Sequence, residues 1–242
     1  MTLDLLSHLK QMLSAPGLSA YEDPIREIVA EAWRPLTDEL SVSRLGSLHA
    51  LKRGDGAEPR PKVLLSAHMD AIGLMVTAIT DGFLHVTQVG GVDARILPGQ
   101  LVTVHGRKDL PGTVVMPPEF LLPPEVEKGP VPLQYLLVDI GLHSSEVEKL
   151  VRVGDVVSFA QPPLELTGGT VAGHTLDNRA SVAAVTFCLE VLQRRKHAWD
   201  VWAVASVQEE IGLTGAFTSP FAIQPDFAIA LDVTFAKGPG ST

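Results

Sequence analysis

Val204-Ala205-Ser206-Val207-Gln208-Glu209-Glu210-Ile211-Gly212 is the stretch around which the chain is organised. The apolar run that begins at Val201 leads into two adjacent carboxylates and then a glycine. Open α/β sheets bury apolar strands of this kind and place their ligands at the carboxyl ends of the strands. If the strand continues through the pair, Glu209 and Glu210 point to opposite sides and have different neighbours. Taken alone, the pair is better explained as two solvated glutamates, so a functional role requires partners elsewhere in the chain.

The composition describes an ordered, acidic protein. Of 242 residues, 45% are hydrophobic and 19% are charged, which suits one large domain or two modest ones with proper cores. Lys and Arg number 19 against 28 Asp and Glu, for a formal net charge of −9. Because the chain has no extended basic run, we expect it to bind neither nucleic acid nor an anionic membrane surface.

Cysteine usage and the N-terminus indicate the compartment. Cys188 is the single cysteine, and its place in an apolar helical pattern predicts a core position. The N-terminal residues lack the basic start and long apolar stretch of a signal peptide, and no segment has the length of a membrane span. We therefore expect a soluble, cytoplasmic protein.

The N-terminal region predicts two amphipathic helices and then two strands. Apolar residues recur at helical spacing from Leu3 to Leu13, with Thr2 as a candidate N-cap. Pro24 suits the first turn of a second helix that reaches about Trp33. The predicted strands are Leu40–Arg44 and Leu48–Lys52. The two helices would cover one face of a sheet.

A buried strand is predicted at Lys62–Ala67, and it leads into His68-Met69-Asp70. Residues two apart in an extended chain share one side, so His68 and Asp70 would lie together. A carboxylate there can accept a hydrogen bond from one ring nitrogen of the histidine and turn the other nitrogen towards a metal. For a single His-x-Asp pattern, a histidine satisfied at a strand end is the better interpretation.

Residues 73–163 differ in texture and predict an inserted β domain within a catalytic domain of residues 1–72 and 164–242. Short β-like runs alternate with Gly and Pro turns, which is typical of a small barrel or sandwich. These runs are Leu74–Ile79, Phe83–Val89, Gln100–His105, Thr113–Val115, Leu136–Ile140 and Asp155–Phe159. One helix is predicted near Ser144–Val151, where Ser145 and Glu148 have capping-box spacing. The proline-rich stretch 116–132 is interpreted as a loop.

After the insertion, helix and strand patterns resume. A long helix opens at Leu176 with Asp177 as its predicted N-cap, for which a plain capping role is the simplest interpretation. Two buried strands, Trp199–Val207 and Phe227–Leu231, follow, with a short helix predicted from Gly212 between them. Asp232 comes directly after the second strand.

Three apolar strands thus end in residues that commonly bind metals, and a helix start adds Asp177. The residues that follow the strands are His68, Asp70, Glu209, Glu210 and Asp232. Mixed imidazole and carboxylate ligands suit zinc, cobalt or manganese better than calcium. Because no cysteine ligand is present, a structural zinc site is not favoured.

Several ordered motifs resemble those of the M42 dinuclear aminopeptidases, which include the TET, deblocking and glutamyl aminopeptidases. They are Pro16–Glu22, His68–Asp70, Gly90–Gln100, Val138–Gly141, Gly154–Val157, Leu176–Arg179, Gln208–Gly212 and Leu231–Thr234. The resemblance covers nearly the whole chain. It implies a zinc-peptidase-like, phosphorylase-like α/β fold with an open, mostly parallel sheet and helices on both faces. The insertion would be a small PDZ-like β-barrel that mediates assembly and shapes substrate access.

The resemblance also implies two divalent metal ions, with zinc expected and cobalt or manganese as alternatives. Asp177 would bridge the two ions. His68 and Asp232 would complete one metal site, and Glu210 would bind the other ion.

The implied reaction is hydrolysis of the N-terminal peptide bond of peptide substrates by a metal-bound water. Glu209 would act as the general base, and Asp70 would orient the metal-binding histidine. By family analogy the protein would form a homo-oligomer, a dodecamer in the TET enzymes. The preferred N-terminal residue cannot be read from the sequence.

Two departures from the family pattern leave alternatives open. Ala71 stands where the family usually has an acidic residue, and no histidine follows His197, although the family's last metal ligand is a histidine downstream of the position of Asp232. The chain is therefore expected to be part of a longer protein, or else a degenerate member that serves as a non-enzymatic assembly or binding module. His174 is a weaker candidate for the missing ligand. Some family members are labelled endoglucanases, but the histidine and bridging aspartate favour metal-dependent hydrolysis.

Overall fold

The computed structural model describes residues 4–126, 129–236 and 238. The chain divides into two compact units. The sheet unit comprises Met1–Ala71 and Pro163–Thr242, and the barrel unit comprises Ile72–Pro162. Within the described residues, no helix is both long enough and apolar enough to cross a bilayer.

The helices and strands follow one another in both units. The helices are α1 (Leu5–Ser14), α2 (Asp23–Trp33), α3 (Ser144–Leu150), α4 (Leu176–Leu192) and α5 (Thr214–Ile223). The strands are β1 (Glu39–Val42), β2 (Leu48–Lys52), β3 (Lys62–His68), β4 (Gly73–Thr80), β5 (Phe83–Val89), β6 (Leu101–His105), β7 (Asp109–Val115), β8 (Leu137–Asp139), β9 (Val156–Phe159), β10 (Leu164–Leu166), β11 (Thr170–Ala172), β12 (Asp200–Ser206) and β13 (Phe227–Ala230). The β10–β11 hairpin is absent from the sequence-based prediction.

The sheet unit is built on a five-stranded sheet with the order β1-β2-β12-β3-β13. Strand β3 is parallel to both β12 and β13, whereas the β1–β2 and β2–β12 pairs are antiparallel. The predicted α/β class is confirmed, but the expectation of a mostly parallel sheet is wrong. The difference arises because β1 and β2 form a hairpin, and a short hairpin turn can join only antiparallel strands.

Helices pack on both faces of this sheet, because alternate residues of a strand point to opposite faces. On β12, Ala203 and Ala205 belong to the main core, which includes residues of α1, α2 and α4. The intervening Val204 packs in a second cluster with Ile223 of α5. The strand is therefore covered on both sides, as its continuous apolar sequence predicts.

Helix starts differ from the predicted caps. Asp4 is the N-cap of α1, where its side chain accepts from the backbone N–H of Ser7, and the predicted cap Thr2 lies outside the described residues. The predicted capping box of α3 is wrong, since that helix begins after His143 without a side-chain cap. The spacing of residues in the sequence does not determine at which residue a helix begins.

The barrel unit is a closed barrel of six strands with the order β4-β5-β8-β7-β6-β9. Its interior is filled by one cluster of buried Leu and Val residues, to which Val147 of α3 also belongs. The predicted small barrel is confirmed. The described parts of the proline-rich stretch contain two short 3-10 turns, Glu119–Leu121 and Pro124–Val126, and no strand.

Gly215 lies against the end of β12, where a larger side chain should destabilise the sheet unit. An added Cβ atom would lie 2.5 Å from the Val207 carbonyl oxygen, 2.6 Å from the Val207 nitrogen and 2.8 Å from Ser47 Oγ. Two of these atoms are backbone, so the strand end would have to move. We expect Gly215→Ala to lower the free energy of unfolding by about 3 kcal/mol, measured by denaturant titration.

Gly91→Ala is the matched control for this substitution, because a Cβ atom there would meet nothing within 4 Å. Its expected effect is no more than about 0.5 kcal/mol. An equal loss of stability in both variants would contradict the packing argument.

Candidate metal centre

The carboxyl ends of β12, β3 and β13 meet at one edge of the sheet. The three strands are parallel, with Ser206 paired to His68 and Ala230 paired to Ser66. The chain segments that leave these strands therefore emerge side by side, as in other open α/β sheets that bind ligands. Every site residue predicted from a strand end lies at this edge.

Glu209 and Glu210 follow β12 in a turn, since the strand ends at Ser206. Gln208 has φ of 55°, in the left-handed region that is uncommon for residues other than glycine. The expectation that the pair continues the strand and points to opposite sides is therefore wrong. The turn places both carboxylates near His68. One oxygen of each carboxylate lies within 4.8 Å of a ring nitrogen of that histidine.

His68 is at the centre of the candidate site and is only 4% exposed. Its Nε2 lies 3.1 Å from Asp177 Oδ1 and 3.7 Å from Glu209 Oε2. The same nitrogen lies 3.9 Å from Asp232 Oδ1. One ring nitrogen thus faces three carboxylates that come from three separate parts of the chain.

Two overlapping groups of potential ligands result. The first is His68, Glu209 and Glu210, and the second is His68, Asp177 and Asp232. Within each group the ligand atoms lie within 4.8 Å of one another. The predicted set is thus brought together around one histidine. His174 belongs to neither group among the described residues.

Asp70 connects the ends of β3 and β12. It is fully buried, and its Oδ1 lies 3.3 Å from His68 Nδ1, on the ring side away from the other carboxylates. The backbone N–H groups of Glu209 and Glu210 donate to the same carboxylate at 3.1 and 3.2 Å, and the Ser19 hydroxyl donates at 2.5 Å. Asp70 therefore faces the imidazole, as its spacing from His68 predicts, and also fixes the glutamate turn. The second contact was not predicted from the sequence.

Asp177 reaches the site through a break at the start of α4. The helix has Thr175 as its N-cap, and Asp177 and Asn178 have non-helical backbone angles, so the predicted N-cap role of Asp177 is wrong. The Asn178 side-chain amide donates to the Leu231 carbonyl at 2.8 Å. This bond joins the start of α4 to the end of β13 and holds Asp177 close to Asp232.

Arg179 is fully buried and supports the site through hydrogen bonds to backbone carbonyls. Its Nε donates to the Met69 carbonyl at 3.2 Å, and its Nη1 donates to the carbonyls of Met12 and Ala15 at 2.5 and 2.6 Å. Burial lowers the pKa of this guanidinium to about 10, although the charge of Asp70 opposes the change. Arg179 thereby ties the end of α1 to the segment between His68 and Asp70.

The concentration of acidic groups changes their protonation. Burial raises the pKa of Glu210 to about 7, and the charge of Asp177 adds to the effect. Burial alone would lower the pKa of His68, but Asp70 and the charges of Glu209 and Asp177 raise it to about 9. The carboxylates thus repel one another and favour positive charge at their centre.

This donor set fits divalent metal ions. Carboxylate oxygens and an imidazole nitrogen are typical ligands of zinc, cobalt and manganese. A cation held by these ligands would also offset the charge of Asp177, which adds to the effect of burial on the pKa of Glu210. The described residues could therefore hold metal, with the ligand roles of His68, Asp177, Glu210 and Asp232 remaining predictions.

Sequence reasoning missed three residues that arrange the site: Ser19, Asn178 and Arg179. Two short stretches, Pro16–Glu22 and Leu176–Arg179, contain all of them, and both belong to the motifs that carry the family resemblance. These motifs therefore contained a signal for the missed residues. The sequence does not show which distant residues they contact, and each one alone is explained equally well as an ordinary turn or helix-start residue.

Comparison with known proteins gives consistent results. The model of the family of M42 glutamyl aminopeptidases matches residues 46–242. The lysyl aminopeptidase of Pyrococcus furiosus is 37% identical over 237 residues, covering 96% of this chain and 67% of that protein. The chain spans about two thirds of the length of the curated relatives it matches.

Solved structures agree with the sequence relatives. The TET aminopeptidase of the marine sediment archaeon Thaumarchaeota archaeon SCGC AB-539-E09 superposes with a TM-score of 0.92 at 30% identity, covering 98% of this chain and 68% of that one. The TET1 peptidase of Pyrococcus horikoshii, which can assemble into a tetrahedron or a large octahedral shell, has a TM-score of 0.85 at 32% identity. That match covers 98% of this chain and 71% of the other.

Proposed function

Because the chain belongs to the M42 glutamyl aminopeptidase family, we propose that it forms the larger part of a metal-dependent aminopeptidase. The protein would hydrolyse the N-terminal peptide bond of peptides. The observation that carries this proposal is the pair of ligand groups that share His68: Glu209 and Glu210 complete one group, and Asp177 and Asp232 complete the other.

The proposed metal ligands are His68, Asp177, Glu210 and Asp232, and zinc is the proposed metal, with cobalt or manganese as alternatives. Asp177 would serve both ions. Two bound divalent ions would polarise the scissile carbonyl and lower the pKa of the attacking water. The donor chemistry of the four side chains supports this assignment, because all are nitrogen or oxygen ligands.

Glu209 is the proposed general base. Burial raises the pKa of its carboxyl, and the charge of His68 opposes this effect. A carboxylate with a raised pKa is better suited to accept a proton from water and to deliver it to the leaving amine. Asp70 is proposed to orient His68, because it lies against Nδ1 while Nε2 faces the other carboxylates.

Proposals about the whole protein rest on its relatives. In the family, a further histidine serves as a metal ligand. We propose that it lies in a region of the whole protein that corresponds to the part of the relatives not covered by this chain. We propose a homo-oligomer, supported by the shell-forming Pyrococcus horikoshii structure. The barrel unit is proposed to mediate assembly and to shape substrate access, and the proposed location is the cytoplasm.

Metal removal tests the proposed function directly. We expect the full-length protein to hydrolyse aminoacyl-p-nitroanilides and to lose this activity completely after treatment with EDTA. Zinc, cobalt or manganese should restore the activity, because the carboxylates and His68 need a bound cation to act on the substrate. The measurements are initial rates of nitroaniline release and metal content by mass spectrometry.

The alternative functions give different results in the same experiment. A non-enzymatic assembly module would bind no stoichiometric metal and release no nitroaniline. An endoglucanase that uses paired carboxylates would cleave carboxymethylcellulose and retain that activity in EDTA. Either outcome would overturn the aminopeptidase proposal.

A further inference from the structure

Glu22 has an unusual position for a carboxylate. It is the N-cap residue of α2 and is 3% exposed, yet its side chain makes no capping bond to that helix. Its Oε1 instead accepts two backbone N–H groups, from Ala20 at 2.8 Å and from Gln208 at 3.0 Å. The side chain therefore turns away from its own helix and towards the turn that carries Glu209.

The buried carboxylate of Glu22 does not obviously stabilise the folded protein. No Lys, Arg or His among the described residues forms an ion pair with Glu22. Burial raises the pKa of its carboxyl, and the charge of Asp70 adds to the effect. A buried carboxylate without a cation is costly, whereas an apolar residue or an amide would be less so. The position is better explained by what the side chain holds.

The segment that Glu22 holds needs outside support. Gln208 has φ of 55°, in the left-handed region, where a residue with a side chain is strained. The next two N–H groups, of Glu209 and Glu210, donate to Asp70. Three successive backbone N–H groups are thus received by two buried carboxylates from different parts of the chain.

We propose that Glu22 is a positioning residue: by accepting the Gln208 N–H it fixes the turn that aims the Glu209 carboxylate. The catalytic part of this inference rests on the proposed function, since it takes Glu209 as the general base. Asp70 accepts the N–H groups of Glu209 and Glu210 but not that of Gln208, whose carbonyl accepts the Thr214 N–H at 3.2 Å. Loss of Glu22 would therefore free the Gln208 N–H and loosen the turn where the Glu209 carboxylate begins.

Three variants of the full-length protein test this role. Glu22→Ala removes the acceptor. Glu22→Gln keeps it, because both N–H groups bond to the single oxygen Oε1 and an amide oxygen can replace it. Glu27→Ala is the matched control, since Glu27 lies on the same helix but is exposed.

The first readout is independent of activity. Hydrogen–deuterium exchange of metal-free protein, followed by mass spectrometry of peptides that cover residues 207–210, reports the protection of the Gln208 N–H. We expect exchange there to become at least about tenfold faster in Glu22→Ala and to match the wild type in the other two variants. Unchanged exchange in Glu22→Ala would overturn the proposed contact.

The second readout is the division between kcat and KM. We expect Glu22→Ala to lower kcat by about 10- to 100-fold with little change in KM or metal content, because a displaced base loses alignment while substrate binding persists. Glu22→Gln should recover most of the rate. Faster exchange with unchanged kcat would overturn the positioning role, as would failure of glutamine to restore the rate. A wild-type protein without peptidase activity would instead overturn the proposed function, and the exchange result would still decide whether Glu22 holds the turn.

Discussion

Replacing Glu209 by glutamine in the full-length protein is expected to lower kcat for an aminoacyl-p-nitroanilide by about 10²- to 10⁴-fold. The amide is similar in shape but cannot accept the proton that the attacking water must lose. Asp70 binds the backbone N–H of Glu209 rather than its side chain, so the turn should persist in the variant. We therefore expect the metal content to remain that of the wild type.

Glu210→Gln is the comparison for this experiment, because the same substitution one residue away affects the proposed metal ligand. We expect that variant to lose metal as well as rate. Two results would contradict the assignment: wild-type hydrolysis by Glu209→Gln, or loss of metal in that variant to the same extent as in Glu210→Gln. The kinetic and metal measurements together separate the base from the ligand.

Replacing Arg179 by methionine is expected to lower the free energy of unfolding by more than Gly215→Ala does. The carbonyl oxygens of Ala15 and Met69 would lose their side-chain donor, whereas that of Met12 would keep the backbone N–H of Ala15. The buried charge of Asp70 would also lose a nearby cation. Each unsatisfied buried polar group costs about 1–3 kcal/mol. We therefore expect a loss of at least about 4 kcal/mol, seen as insoluble expression or a much lower denaturant midpoint.

The exposed Arg194→Met is the matched control and should change stability by no more than about 0.5 kcal/mol. Arg179→Lys should be intermediate, because an ammonium keeps the charge but cannot reproduce the planar fork of a guanidinium. If Arg179→Met unfolded at the same denaturant concentration as the control, the proposed link between α1 and β3 would be wrong.

The site was predictable from sequence because apolar strands in the same sheet deliver their following residues to one edge. This rule places His68 and Asp232 at one edge of the sheet, and the structure brings them together with Asp177 and Glu209. The paths between these residues were less predictable. The turn at Gln208 depends on carboxylates far away in the chain, and no local pattern contains that information.

The details of the sheet were also beyond the reach of sequence patterns. A buried strand gives the same apolar run whether its neighbour is parallel or antiparallel, so the mixed sheet could not be distinguished from a mostly parallel one. The small β10–β11 hairpin was missed because its strands, Leu164–Leu166 and Thr170–Ala172, are short and largely exposed. Burial of Arg179 was missed because arginine near a helix start usually faces solvent.

The double attachment of Asp70 limits how this centre could be re-engineered. One carboxylate faces the ring of His68 and also receives the backbone of the glutamate turn. A change that rotates the imidazole to suit a metal of different size would therefore also shift the proposed base. With the proposed roles, metal selectivity and proton transfer would be coupled through Asp70. Laboratory evolution towards a new metal should then require compensating changes around Asp70 rather than ligand substitutions alone.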